Sequence, residues 1–253
     1  MNKKIFYILP SYNEALNLNA LLNKFKKFYK TKNVNVLIAI IDDGSTDNST
    51  KIIRTFIKNN NIKKFKIKII KHKKNLGLGR ALQTGFEYCF LKGHNNDILI
   101  TMDTDNSHTI SVSYKMAEKI ISNKKDIVIA SRYQLTSKTK GLNKLRKILS
   151  FAAATLYKIF FPIKNVKDYT SGFRAFKLGK IRIAWKNNKN FFSEEGFSAS
   201  ADILLKLYKY RNKIRFGEMP INLRYDLKKG DSKMKIFQTI YLNLILIIKR
   251  KFF

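Results

Sequence analysis

Cysteine, histidine and acid are scarce in this chain of 253 residues, and each scarcity closes off a class of chemistry. The single cysteine, Cys89, excludes an internal disulfide and any paired-thiol metal site, and it suits a reducing compartment. Three histidines, His72, His94 and His108, leave few candidates for an imidazole base. His108 is read as a surface or capping residue. No apolar run reaches the roughly 20 residues that a spanning helix requires. The best stretch, 236–248, is interrupted by Gln238, Thr239 and Asn243 and ends in Lys249-Arg250-Lys251. The first apolar run stops at Pro10 after about five residues, short of the roughly 7–15 of a secretory leader. No internal repeat and no flexible linker divide the chain.

Acid is outnumbered by base, 17 Asp plus Glu against 51 Lys plus Arg, for a formal charge of +34. Such a field attracts polyanions or anionic lipid headgroups. A Lys/Asn-rich compositional bias, as at 58–64, accounts for it equally well. A nucleic-acid partner is not expected, because the chain has no recognisable binding motif and no aromatic stacking series.

With 45% hydrophobic residues the chain can bury a real core. Short apolar runs at 5–9, 34–41, 65–70, 97–102 and 126–130 read as strands, and 213–218 as a further one. Helical spacing marks 13–29, 75–91, 111–122, 142–161 and 198–210, and Ser45 or Asp47 caps another helix after the turn at 42–45. This alternation predicts a mainly parallel α/β sheet with helices on both faces. Ligands of such sheets bind outside the carboxyl ends of the strands. Three acidic groups fall there: Glu14, Asp42 with Asp43, and Asp103 with Asp105.

Asp103-Thr104-Asp105 places two carboxylates one residue apart after a buried strand. Mg²⁺ and similar hard cations take one or two carboxylates plus substrate phosphates. A cation held so offsets the charge of a diphosphate leaving group. The bland alternative is a turn in which Asp serves as a cap. Asp42 and Asp43 repel one another unless something bridges them, such as ribose hydroxyls or a base N–H. An acidic turn before Gly44 is the competing reading. Pro10-Ser11-Tyr12-Asn13-Glu14 offers an aromatic ring and a carboxylate in a rigid turn, or simply a helix start. Arg132, Arg146 and Arg174 are fork-shaped donors suited to phosphate, or ordinary surface charge.

Those motifs, in this order, resemble the family-2 glycosyltransferases. The resembling segments are 10–14, 42–45, 75–79, 102–108, Ser131-Arg132-Tyr133 and 170–174. Within the family the chain is most similar to polyprenol-phosphate (dolichol-phosphate) mannosyl- and glucosyltransferases, over about residues 5–233. The segments 103–108, 168–174 and 230–233 are the more specific to that branch. The resemblance implies a GT-A-type domain over 1–235, with a donor half to about 106 and an acceptor half after it. A basic, apolar helix at 236–253 would follow.

The resemblance also implies roles. Pro10, Tyr12, Asn13, Glu14, Asp42, Asp43, Thr104 and Lys233 would hold the nucleotide sugar. Asp103 and Asp105 would bind Mg²⁺ or Mn²⁺ and, with Arg132, carry catalysis. Ser107 falls where some relatives place a Gln metal ligand, and is a weaker ligand that can act through water. Arg132, Arg146, Ser150 and Arg174 would bind the acceptor phosphate.

Relatives carry an Arg shortly before the final G-x-S-K. Here Arg224, Lys228 or Lys229 would supply that charge. They often place Glu where this chain has Asp202. The expected reaction is inverting transfer of a hexose from GDP-mannose or UDP-glucose to a polyprenyl phosphate. A glycan hydroxyl is the alternative acceptor and would need a base such as Asp202 or Glu195. Helices 142–161 and 236–253 would either meet an anionic membrane surface or cover the core. Relatives often add spanning helices after the catalytic domain, whereas this sequence stops first, so the expectation is a peripheral form, cytoplasmic at the inner face of the membrane.

Overall fold

The computed structural model describes residues 3–60, 64–142, 144–188, 190–194, 196, 198–230 and 236–252. The first strand, β1 (Lys4–Ser11), is buried on both sides, and Ile5 through Leu9 are fully inaccessible. A continuous apolar run suits a strand with parallel neighbours on each side and helices on both faces. Helix α1 (Ala15–Lys30) follows, with Leu18, Leu21, Leu22 and Phe25 on its inner face. Next come β2 (Asn35–Asp42), α2 (Ser49–Asn59), β3 (Phe65–Lys71), α3 (Leu78–Lys92) and β4 (Ile98–Thr101). The chain continues through α4 (Ile110–Ile121), β5 (Ile127–Ser131), β6 (Lys138–Lys140) and α5 (Lys144–Phe160). It ends with β7 (Arg174–Lys177), α6 (Leu178–Lys186), α7 (Ala199–Tyr208), β8 (Phe216–Pro220), β9 (Asn222–Arg224) and α8 (Ile236–Phe252).

Seven strands form one sheet in the order β3-β2-β1-β4-β7-β5-β8. All pairings are parallel except those of β7, which runs antiparallel to both β4 and β5. The mainly parallel α/β sheet expected from the sequence is present. Strand β7 and helix α6 were not expected. The strand has only four residues, Arg-Ala-Phe-Lys, and its charged ends hide the apolar signal. Edge strand β3 exposes Lys66 and Lys68 between Ile67 and Ile69, a pattern that discourages pairing with another chain. Strands β6 and β9 pair separately as a short ribbon.

Alternation along β1 divides the interior into two cores. Ile5, Tyr7 and Leu9 pack with α1, α2 and α4, whereas Phe6 and Ile8 pack with α3 and the later helices. The Tyr7 hydroxyl is paired with those of Tyr29 at 2.6 Å and Ser113 at 2.5 Å, so the phenol is satisfied although fully buried. Helix α8 packs on α5 and α7. Its inner face buries Asn243, Leu246 and Ile247. Arg250 then reaches Asp202 at 2.6 Å. Among the described residues no helix is long and apolar enough to cross a membrane.

The turn after β2 decides where the site lies. Gly44 adopts φ +74°, and a Cβ there would fall 2.4 Å from the backbone carbon of Lys74 and 2.6 Å from the Asn75 nitrogen. Only glycine lets this turn rest against the loop that leads into α3. Gly44→Ala is expected to cost at least about 2 kcal/mol, from left-handed strain plus backbone displacement. Urea unfolding of the two proteins reads this directly, and an unchanged midpoint would contradict the close approach.

Candidate active site

Acidic and polar groups gather along the carboxyl edge of the sheet because every parallel strand releases its loop there. They line one cleft of about 540 Å³, within the size range of small-molecule sites. From β2 to β5 the cleft crosses four strand spacings, about 19 Å at ~4.8 Å each. That length accommodates an extended ligand.

At the β2 end, Asp43 is 4% exposed and lines the cleft. Its carboxylate accepts from the Leu76 and Gly77 N–H groups at 2.9 and 2.8 Å, at the entry to α3. The His72 ring lies 2.7 Å away through Nδ1, and its Nε2 meets the Thr84 hydroxyl at 3.0 Å. His72 therefore fixes the orientation of Asp43, a role the sequence did not signal. Asp42 was expected beside Asp43 in the site, but Asp42 is the last residue of β2 and only Asp43, in the turn after it, lines the cleft. Asp42 is fully buried away from the cleft, where it accepts from Ser45 N–H and Thr50 Oγ1. Asn13 is likewise structural: its side-chain oxygen accepts from Thr46 N–H at 2.9 Å and ties two loops together. Pro10, Tyr12 and Glu14 do line the cleft. Thr104 lines it too, with its hydroxyl donating to the Pro10 carbonyl at 3.0 Å.

Asp103 and Asp105 lie just beyond β4. Asp103 keeps 53% of its side-chain surface open to the cleft. Crowding by protein on its other sides, with the charges of Asp105 and Glu14, raises its carboxyl above the usual range against the opposing pull of His108 and Lys228. Asp105 is 6% exposed. Burial pushes its carboxyl up, but His108, the Ser107 donors and Lys228 outweigh burial and hold it below the usual range. Ser107 donates to Asp105 through both its hydroxyl (2.6 Å) and its N–H (3.1 Å). It is 1% exposed, so it orients Asp105 and does not face a ligand as expected.

His108 corrects another expectation. Its side chain is 8% exposed, stacked on Phe173 at 4.5 Å, and accepts the Asp103 N–H at Nδ1. Its other ring nitrogen, Nε2, faces the Asp103 carboxylate at 3.9 Å. A lone histidine in a loop carries no sequence signal for such stacking.

At the β5 end, Arg132 lines the cleft and makes a two-pronged pair with fully buried Asp168, Nε at 2.8 Å and Nη2 at 2.6 Å. Nη2 also donates to Thr170 Oγ1. Burial raises the Asp168 carboxyl, but the Arg132 guanidinium more than reverses this and holds it low. Ser150 of α5 lines the cleft and meets the Tyr133 hydroxyl at 3.0 Å. Arg174 does not join them. It is 1% exposed, and its guanidinium donates to the carbonyls of Tyr169 and Ser200. Burial lowers it to about 10. It is a structural cation within β7, not a phosphate binder. The Arg146 side chain, Lys233 and Glu195 lie outside the described residues. Asp202, considered as a base, is 1% exposed and held between Lys206 (2.5 Å) and Arg250 (2.6 Å), so it has no free access to a substrate.

A divalent cation fits this chemistry. Asp103 offers oxygen to the cleft, and Asp105 already carries a positive group, Lys228 Nζ at 3.0 Å. No cluster of three His, Cys, Asp or Glu side chains able to hold a metal occurs among the described residues. The remaining ligands would therefore come from a phosphate-bearing substrate.

The profile of Glycosyl transferase family 2 matches residues 7–183. The chain is 28% identical to the UDP-N-acetylglucosamine–dolichyl-phosphate N-acetylglucosaminyltransferase of Methanococcus voltae, across 97% of this chain and 96% of that protein. It is 31% identical to the dolichol-phosphate mannosyltransferase of Pyrococcus furiosus, across 92% of this chain and 59% of that protein. Glucosyl-3-phosphoglycerate synthase from Mycobacterium tuberculosis, solved with Mn²⁺, UDP and glucosyl-3-phosphoglycerate, shares the fold. Its TM-score is 0.68 at 14% identity, over 98% of this chain and 80% of that one.

The Arg132–Asp168 pair sets an acid limit on stability. A carboxyl held low in the folded chain adds stability above its unfolded value of about 3.9, and that stability is lost as pH falls through the lower folded value. Asp168→Asn is expected to cost about 3–5 kcal/mol at neutral pH, since it strips the partner from a largely buried guanidinium. It should also flatten the decline below about pH 4, which urea titrations across pH would show.

Proposed function

The chain belongs to glycosyl transferase family 2, and from that premise we propose that it moves a hexose from a nucleotide sugar, GDP-mannose or UDP-glucose, to a polyprenyl phosphate. One observation carries this reading. A single cleft joins a carboxylate pair that suits a cation–diphosphate at one end to a fixed arginine at the other. The same cleft continues between apolar helices through Leu142, Leu149, Ala153 and Ile240.

Roles follow from position. Tyr12, Glu14 and Asp43 face the nucleoside. Asp103 and Asp105 would hold Mg²⁺ or Mn²⁺, which when bound offsets the charge of the leaving diphosphate. Arg132 places the acceptor phosphate, helped by Ser150, and the bond to Asp168 keeps its guanidinium from following the ligand. An acceptor phosphate oxygen forms the new bond to the anomeric carbon as the bond to the donor phosphate breaks. The nucleoside diphosphate leaves with the electron pair. The acceptor is already ionised near neutral pH, so no base is required, in keeping with the absence of an accessible one at Asp202. A glycan-hydroxyl acceptor would need a base, and Asp202 does not supply one. Attack from the face opposite the leaving group gives inversion, as the family resemblance implies.

The acceptor's lipid brings the bilayer into the reading. On α5, Ile148, Phe151 and Ile159 are at least 62% exposed and share one stripe. On α8, Tyr241, Leu244, Ile245, Ile248 and Phe252 are 40–70% exposed and form a second stripe, flanked by Lys249 and Lys251. Opposite faces of both helices are buried, and Tyr157 bonds Asn243 between them at 2.5 Å. Apolar stripes beside cations suit the headgroup boundary of an anionic bilayer.

Two outcomes are expected. Asp105→Ala should lower transfer at least about 100-fold with the circular dichroism spectrum unchanged, measured with labelled GDP-mannose, UDP-glucose or UDP-N-acetylglucosamine and a short polyprenyl phosphate. Full activity in that variant would refute the cation role. Phe151→Ser with Ile248→Ser should weaken sedimentation with phosphatidylglycerol vesicles at least about tenfold, given ~1.5–3 kcal/mol per buried large side chain. Equal binding by both proteins would remove these stripes from the membrane contact.

A further inference from the structure

Lys228 is already paired with one of the two carboxylates read as the cation site. Its ammonium sits 3.0 Å from Asp105 Oδ2, with the side chain only 18% exposed. The next residue is fastened as well. Asn17, 1% exposed, accepts the Lys229 N–H at 3.1 Å and donates to the Lys229 carbonyl at 3.0 Å. The same amide donates to Glu14 Oε2 at 2.7 Å, and the Asn17 carbonyl accepts from Asn106 at 2.9 Å. The segment is thus pinned twice, by its ammonium to the acid pair and by its backbone to a buried amide. Gly230 follows at φ +83° with open space around it.

An ammonium at hydrogen-bond distance from a carboxylate oxygen repels a divalent cation brought to the same carboxylate, most strongly where water is excluded. We propose that Lys228 is the resident counter-ion of the acid pair, and that a divalent cation must displace it from Asp105 to bind. This rests on the reading of Asp103 and Asp105 as the cation site. The resident ammonium keeps the buried carboxylate neutralised when no donor is present, and so weakens the hold on a bare cation. A nucleoside diphosphate reverses the balance: it supplies ligands to the cation and a new anionic partner to the released ammonium. Cation and nucleotide each strengthen the other's binding by the same factor, and part of that factor is the cost of moving Lys228. Release of Lys228 also removes one of the two fastenings on the segment 228–230.

Mn²⁺ binding, followed by the loss of free-ion electron paramagnetic resonance signal, tests this with and without UDP or GDP. Lys228→Met should bind Mn²⁺ alone about tenfold more tightly than the unaltered protein, and the enhancement by nucleotide should shrink by the same factor. Lys229→Met removes an equal charge one residue along and should change neither by more than about twofold, since its ammonium is exposed to solvent screening. Lys228→Arg should keep the coupling. In the unaltered protein, Mn²⁺ with nucleotide should speed hydrogen exchange at the Lys229 amide. Unchanged Mn²⁺ affinity in Lys228→Met, or an equal gain in Lys229→Met, overturns the displacement while leaving the cation site standing. Failure of the unaltered protein to bind Mn²⁺ even with nucleotide, or full binding by Asp105→Asn, overturns both.

Discussion

Carboxylates brought together at one edge of a sheet repel each other, and the architecture of this protein is arranged around holding them there. Three of the acids have fixed donors. Asp43 rests on the N–H groups entering α3 and on His72. Asp105 is held by Ser107 and Lys228, and Asp168 by Arg132. At Asp105 and Asp168 burial raises the carboxyl, and these partners outweigh it. At Asp43 and Asp105 they hold oxygen atoms of the cleft in fixed positions.

Those partners come from distant parts of the chain. His72 lies at the end of an edge strand, Lys228 follows the short β6–β9 ribbon, and Asp168 precedes β7. The antiparallel insertion of β7 between β4 and β5 widens the gap between the acid pair and Arg132. The two ends of the cleft therefore do not collapse onto each other. Arg174 helps to set this spacing from inside the core: its guanidinium ties β7 to the backbone at Tyr169 and Ser200.

The surplus of positive charge has a division of labour. A few cations are consumed internally, such as Arg132, Lys206 and Arg250, each bonded to a buried Asp. Most lysines are solvated, where single charges contribute little to stability. Their collective field still favours anionic ligands and surfaces. Helices α5 and α8 show how one element serves two ends, with an inner face that closes the core and an outer face left apolar beside basic residues.

Local chemistry was legible in the sequence. Apolar runs and helical spacing marked most strands and helices, and the order of the short motifs marked the family, because each depends on residues close together in the chain. Asp103, Asp105, Arg132, Asp43 and Glu14 could be picked out since they follow strands whose carboxyl ends must converge in a parallel sheet. The tertiary structure alone decided which of two neighbours lines the cleft, as with Asp43 against Asp42. It also moved Ser107 and Arg174 from ligand contact to support, and brought His72, His108 and Lys228 to the site. The placements of His72, His108 and Lys228 depend on Asp43, Phe173 and Asp105, partners tens to more than a hundred positions away, and no spacing in a single sequence encodes the direction in which a side chain meets a distant partner.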